Sequence, residues 1–228
     1  MLGFSREVEV LAAFTCDTYN QVLDTIIESR RSIRKFKLDV PPRELVEKII
    51  RAGLLAPYSG LAVSMSDFRR FIVFPRDSKS TAQAAILLKC RIMALCEELN
   101  GQVQQNAFLR EHGQAFLENL KVMSQRGVPN ITKAPYYIVV AEQKGIPPVE
   151  QRSLAHCMQN MWLKATALGL GFQLLSITAQ MAEDREFCSL LGIPFGQFAL
   201  DGCLIGYGDM SPPPPKRPSA SEVTRWID

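Results

Sequence analysis

Arg30-Arg31-Ser32-Ile33-Arg34 places three guanidiniums and a hydroxyl within five residues, a concentrated set of donors for one anionic group. A solvated helix end produces the same pattern, because cations also complement the negative end of a helix dipole. Charge alone leaves both readings open. A second basic pair, Lys216-Arg217, follows the prolines at 212–215. A proline run favours an extended, stiff chain, suited to carrying two cations to a fixed place. Other chemistry is sparse. His112 lies in a polar helical stretch, and His156 adjoins Cys157 on a helix whose consecutive side chains diverge. Neither histidine has a nucleophile at a spacing that makes a dyad. The six cysteines (Cys16, Cys90, Cys96, Cys157, Cys188 and Cys203) include no close pair and no zinc or iron–sulfur spacing. Most fall in apolar or helical patterns and read as buried, reduced thiols in a reducing compartment.

The remaining composition sets bounds on these groups. A chain of 228 residues, 47% hydrophobic and 21% charged, is an ordinary globular protein with a sizeable core. A net charge of +3 is too small to argue for nucleic acid, so any positive site must be local. Arg6, Glu7 and Glu9 interrupt the apolar core a signal peptide needs, and Gln159, Asn160, Lys164 and Gln173 break the most apolar later stretch. A membrane span is not expected, and the cytoplasm is the expected location.

The elements that must position the arginines follow from periodicity. Val8 to Phe14 reads as an edge strand or a packed arm. Val22, Leu23, Ile26 and Ile27 form one face of a helix capped by Asp17 or Thr18 and ending near the arginine cluster. Pro41-Pro42 opens a second helix, which Ala56-Pro57 stops. Phe68 to Phe74 is a strand, and Thr81 to Leu99 a helix with Asn100-Gly101 as its stop. The polar stretch from Val103 to Gln125 is a further helix, either a flap over a pocket or a plain surface element. Tyr136 to Ala141 is a buried strand. Val149 to Leu168 is a long helix closed by Gly169 and Gly171, which permit turns or close approach. Phe172 to Ile177 is extended, Ala182 to Leu191 a short helix and Phe198 to Tyr207 a last strand. No linker divides two cores. The expectation is one domain over 1–228, with 1–17 an N-terminal arm and 211–228 a C-terminal extended segment.

The order of these features resembles the nitroreductase family of FMN-dependent flavoprotein oxidoreductases, from about Ile26 to Trp226. Four landmarks carry the resemblance: Arg30 to Phe36 before a proline-started helix ending at Ala56-Pro57; Ala134-Pro135 entering a strand; Gln159-Asn160-Met161-Trp162-Leu163 leading to Leu168-Gly169-Leu170-Gly171; and Leu191-Gly192-Ile193-Pro194, then Ile205-Gly206-Tyr207 and Lys216-Arg217-Pro218. Each is common alone. In this order and spacing they are hard to explain by chance.

The resemblance implies an α+β fold, a mostly antiparallel sheet flanked by helices in an intertwined homodimer, with FMN at the interface. It assigns the FMN phosphate and ribityl chain to Arg30, Arg31, Ser32 and Arg34, with Lys216 and Arg217 returning to the same cofactor. Leu175, Ser176 and Ile177 lie along the flavin's reactive edge, within one residue of alignment, with a main-chain N–H to the flavin N5. Tyr58, Ser59 and Gly60 stand where a loop meets the ring. That loop departs from the family: its usual Asn and Gln-Pro-Trp are absent from Tyr58 to Asp67. Tyr58 either serves the ring or packs at a dimer surface. The activity implied is transfer of electrons from NADH or NADPH through FMN to a small organic acceptor such as a nitroaromatic or quinone. No catalytic side chain and no metal are expected. The alternatives are a specialised flavin reaction (dehalogenation or flavin breakdown) and a flavin-binding carrier or redox sensor. A protein that uses its basic residues for another phosphorylated ligand or nucleic acid is the remaining contrast.

Overall fold

Strands β1 (Arg69–Pro75), β2 (Tyr136–Gln143), β3 (Gly171–Leu174) and β4 (Phe198–Gly206) form one antiparallel sheet in the order β1-β2-β4-β3. This is a computed structural model, and it describes residues 16–58 and 68–227. The segment from Val8 to Phe14, with Ser59 and Gly60, lies outside the described residues. Around the sheet are α1 (Cys16–Ser29), α2 (Arg43–Leu54), α3 (Lys79–Gln105), α4 (Ala107–His112), α5 (Gln114–Arg126), α6 (Glu150–Ala167), a 3₁₀ helix (Ser176–Glu183), α7 (Arg185–Leu191) and α8 (Ala220–Val223). The fold is α+β.

Strand β2 shows why the sheet is covered on both faces. Successive side chains point to opposite sides, so Tyr137, Val139 and Ala141 join a core with α3, α7 and the 3₁₀ helix. Ile138 and Val140 join a second core with Val46 and Ile49 of α2 and Leu154, Met158 and Met161 of α6. An apolar run with no polar alternation suits this position.

Several boundaries differ from the sequence reading. Helix α1 begins at Cys16, so Asp17 and Thr18 lie inside it. Its apolar stripe is largely open: Val22, Leu23 and Ile27 are about half exposed. Helix α3 continues through Asn100-Gly101 to Gln105. A Cβ on Gly101 would touch nothing, so no close packing demands the glycine there. The break falls instead at Asn106, whose extended backbone ends α3 and whose side chain accepts from Leu109 N at 3.2 Å to start α4. Extended structure after Gly171 ends at Leu174, and Ser176 already opens the 3₁₀ helix. His156 is exposed, and of the thiols Cys157, Cys188 and Cys203 are buried while Cys90 is exposed. Burial pushes the Cys157 thiol up to about 12, which leaves it unreactive near neutral pH.

After α1 the chain becomes an extended strap laid along the sheet end. Ser32 forms a parallel bridge to Phe172, and Phe36 an antiparallel bridge to Gly208. Ile33 N donates to Phe172 O at 3.0 Å, and Lys37 N to Tyr207 O at 2.9 Å. Gly171 is what lets the strap lie so close, because a Cβ there would stand 2.7 Å from Ile33 Cγ2. Gly169, with φ of 70°, makes the turn before it.

Candidate functional site

Three cavities follow one another along this strap. The first, about 470 Å³, is lined by Ile27, Glu28, Arg30, Arg31, Pro214, Pro215 and Arg217. The tail prolines thus bring Arg217 to the arginine cluster, whereas Lys216 is exposed and does not line this cavity. Arg30 is held by an aromatic support. Its guanidinium lies 4.2 Å from the Trp162 ring centroid, Trp162 stacks on Phe172 at 5.0 Å, and Trp162 Nε1 donates to Arg31 O at 3.2 Å. Arg31 behaves differently. Its Nη1 turns back onto Glu28 O and Arg30 O, capping the carbonyl end of α1. The helix-end reading of the cluster therefore describes Arg31. Arg31 Nε nevertheless remains buried without a partner.

The second cavity, about 320 Å³, adjoins Arg31 and is lined also by Ile33, Gly169, Leu170, Gly171 and Gly208. The third is the largest, about 620 Å³, within the usual range for small-molecule sites. Arg34, Lys35, Phe36, Gln173, Leu174, Leu175, Ser176, Ile177 and Asp209 form much of its wall. The sequence-predicted groups Arg34 and Leu175 to Ile177 do meet here. Met123 of α5 also reaches this wall, so that helix borders the cavity.

Two further lining residues, Asn130 and Lys133, were not foreseen. They sit on a turn before β2 in which Asn130 adopts φ of 68° and its carbonyl accepts from Lys133 N at 2.9 Å and Ala134 N at 2.8 Å. Asparagine is among the few side chains that tolerate the left-handed region. Asn130 Nδ2 donates to Arg34 O at 2.8 Å and to Gln173 Oε1 at 3.1 Å, locking the turn to the strap. An Asn-Ile-Thr-Lys turn carries no sequence signal of its own, so only the fold reveals it.

Leu175, Ser176 and Ile177 are not equivalent. Leu175 N donates to Gly202 O at 2.7 Å, so that N–H is already taken. Ser176 and Ile177 open the 3₁₀ helix, where first-turn N–H groups have no partner within the helix. Tyr58 is elsewhere. It stacks on Phe68 at 4.5 Å and its hydroxyl donates to Gln143 O at 3.4 Å, at the end of β2 remote from Lys133. The length of β2 separates these positions by roughly 23 Å, at about 3.3 Å per residue. Within one chain, Tyr58 and the 620 Å³ cavity are not brought together. Burial chiefly, with Glu150 and Glu142 nearby, raises the Tyr58 hydroxyl above its ordinary value.

Comparisons with known proteins identify the family and the fold. Residues 27–208 match the model of the Nitroreductase family. The chain belongs to that family. Among solved structures, a nitroreductase with bound FMN from Bacteroides fragilis superposes with a TM-score of 0.65 at 15% identity, covering 90% of this chain and 98% of that one. A nitroreductase with bound FMN from Desulfitobacterium hafniense gives 0.64 at 20% identity, covering 91% and 98%. Oxidised iodotyrosine deiodinase bound to FMN and 3-iodo-L-tyrosine gives 0.63 at 21% identity, covering 90% and 99%. At these identities the likeness is one of fold. No curated protein sequence matches the chain. No helix among the described residues is long and apolar enough to cross a membrane.

Proposed function

We propose that this nitroreductase-family chain binds FMN along the strap and passes electrons from NADH or NADPH to a small organic acceptor such as a quinone or nitroarene. The observation that carries the reading is the buried, unpartnered Nε of Arg31, a residue that lines both of the first two cavities and shares one of them with Arg30 and Arg217. A buried donor without a partner is costly, and a phosphate would satisfy it. Arg31 and Arg34 are three residues apart on an extended segment, about 10 Å at 3.3 Å per residue. That separation suits one ligand with a phosphate at one end and a planar ring at the other.

In this reading Arg30, Arg217 and Arg31 Nε hold the phosphate, and Ser32 with the glycine-lined middle cavity takes the ribityl chain. Arg34, Asn130 and the N–H groups of Ser176 and Ile177 meet the ring. Phe36, Leu175 and Ile177 exclude water. Bound FMN supplies two-electron acceptance as hydride from the nicotinamide and two-electron delivery to the acceptor. The balance closes with two electrons and two protons converting a quinone to a hydroquinone, or a nitro group to a nitroso group and water. No side chain is needed as acid or base, since solvent supplies the protons.

A homodimer fits the same reading. Leu23, one of the half-exposed apolar residues of α1, lines a groove with Ile26, Ala52, Leu55, Leu163 and Ala167, beside Asn160 and Lys164. A second copy is also what would bring Tyr58 to the ring.

Phosphate anchoring is tested by measuring affinity for FMN and for riboflavin, which lacks the phosphate. Arg30→Ala and Arg217→Ala should each weaken FMN binding by about ten- to a hundredfold, the range of a charged hydrogen bond, and leave riboflavin binding unchanged. Arg110→Ala, at a residue that lines none of the three cavities, should alter neither. Equal FMN retention in all three variants would falsify the assignment.

A further inference from the structure

The 620 Å³ cavity carries more positive charge than a flavin ring uses, an inference that rests on the FMN reading above. Its wall holds Arg34, Lys35 and Lys133 against one carboxylate, Asp209. Among the described residues, none of the three cationic side chains has an ion-pair or hydrogen-bond partner. The cofactor phosphate does not account for them, because Arg30, Arg31 and Arg217 line a different cavity. An oxidised flavin ring is neutral and gains at most one negative charge on reduction, which Arg34 on the strap answers.

Lys133 stands on a different element from the other two. Its turn is closed by the Asn130 carbonyl and tied to the strap through Asn130 Nδ2, so the ammonium is presented from a fixed base at the cavity. Met123, Pro129 and Leu174 on the same wall offer apolar surface to a flat body. An apolar wall with one surplus cation recognises a planar molecule bearing one anionic group. We propose that Lys133 binds the carboxylate of an aromatic acceptor and makes the enzyme selective for anionic over neutral acceptors.

The test compares benzoate with benzamide, its uncharged isostere, by calorimetric titration into the FMN-supplied full chain. The same comparison is made in turnover with p-nitrobenzoate and p-nitrobenzamide. The wild-type protein should favour each anion by about fivefold, the scale of a partly exposed ion pair. Lys133→Gln should bring that ratio to near unity, with FMN affinity and p-nitrobenzamide turnover retained, and Lys133→Arg should restore it. A wild-type ratio near unity, a preference that survives Lys133→Gln, or an effect confined to KM for the nicotinamide donor overturns the proposal. Benzoate preference without turnover of any nitroarene would overturn the reductase reading and leave the anion subsite standing.

Discussion

Trp162 determines where the Arg30 guanidinium lies, because the cation rests on a ring that is itself stacked on Phe172 and hydrogen-bonded to Arg31 O. Trp162→Leu keeps an apolar side chain on α6 but removes the cation–π support and the indole donor. FMN affinity should fall by about fivefold, corresponding to roughly 1 kcal/mol, while riboflavin affinity holds. A parallel loss for both ligands would mean a general packing defect. The arginine cluster was legible in sequence because its donors are consecutive. Trp162 was legible only as part of a motif, since its contact with Arg31 joins residues 131 apart. Arg31 shows the limit of reading by charge: two adjacent arginines have different partners once the helix end is in place.

At the scale of elements, the turn that follows α2 is clamped by buried Arg69. Its Nε donates to Glu142 Oε2 at 2.7 Å, Nη1 to Gly53 O at 2.7 Å and to Ala56 O at 3.2 Å, and Nη2 to Ser153 Oγ at 2.9 Å. Ser153 Oγ in turn donates to Pro57 O at 3.0 Å, so β1, β2 and α6 together fix the chain just before Tyr58. Arg69→Ala would leave the Glu142 carboxylate buried and unpaired, and should cost about 3–5 kcal/mol in urea unfolding. A loss below about 1 kcal/mol, the range of an exposed pair, would contradict the clamp. Burial raises the Glu142 carboxyl above its ordinary value of 4.5, against the lowering by Ser153 and Arg69. The native state then holds that proton more tightly than the unfolded chain. The contribution to stability declines as pH rises from 4.5 through the raised value, and Glu142→Gln should flatten that decline. None of this was visible in sequence, where Arg69 is simply the first of two arginines within a strand. Strand β2 was the most visible, because its β-branched run between Pro135 and Gly145 leaves few alternatives. Asn100-Gly101 misled because a stop signal acts only where the backbone turns, and there α3 continues.

For the whole molecule, the strap explains why landmarks from both ends of the chain matter together. Arg30 to Arg34, Gly169 to Gly171 and Arg217 are distant in sequence, yet Ser32 and Phe36 bridge to Phe172 and Gly208, and the tail returns to Arg30. Their order carried the family resemblance. The part that stayed hidden is the part that depends on contacts between elements distant in sequence: the Asn130 turn, the open apolar face of α1, and the position of Tyr58 at the end of β2 remote from the 620 Å³ cavity. The proposed activity depends on a bound flavin that accepts electrons from a nicotinamide. It is tested most directly by the visible spectrum of the purified, FMN-supplied protein before and after anaerobic addition of NADH or NADPH. A protein-bound flavin band at about 450 nm should bleach with one of the two donors and return when an acceptor such as menadione is added. A protein that retains no flavin after reconstitution, or whose bound flavin neither donor bleaches, would contradict it.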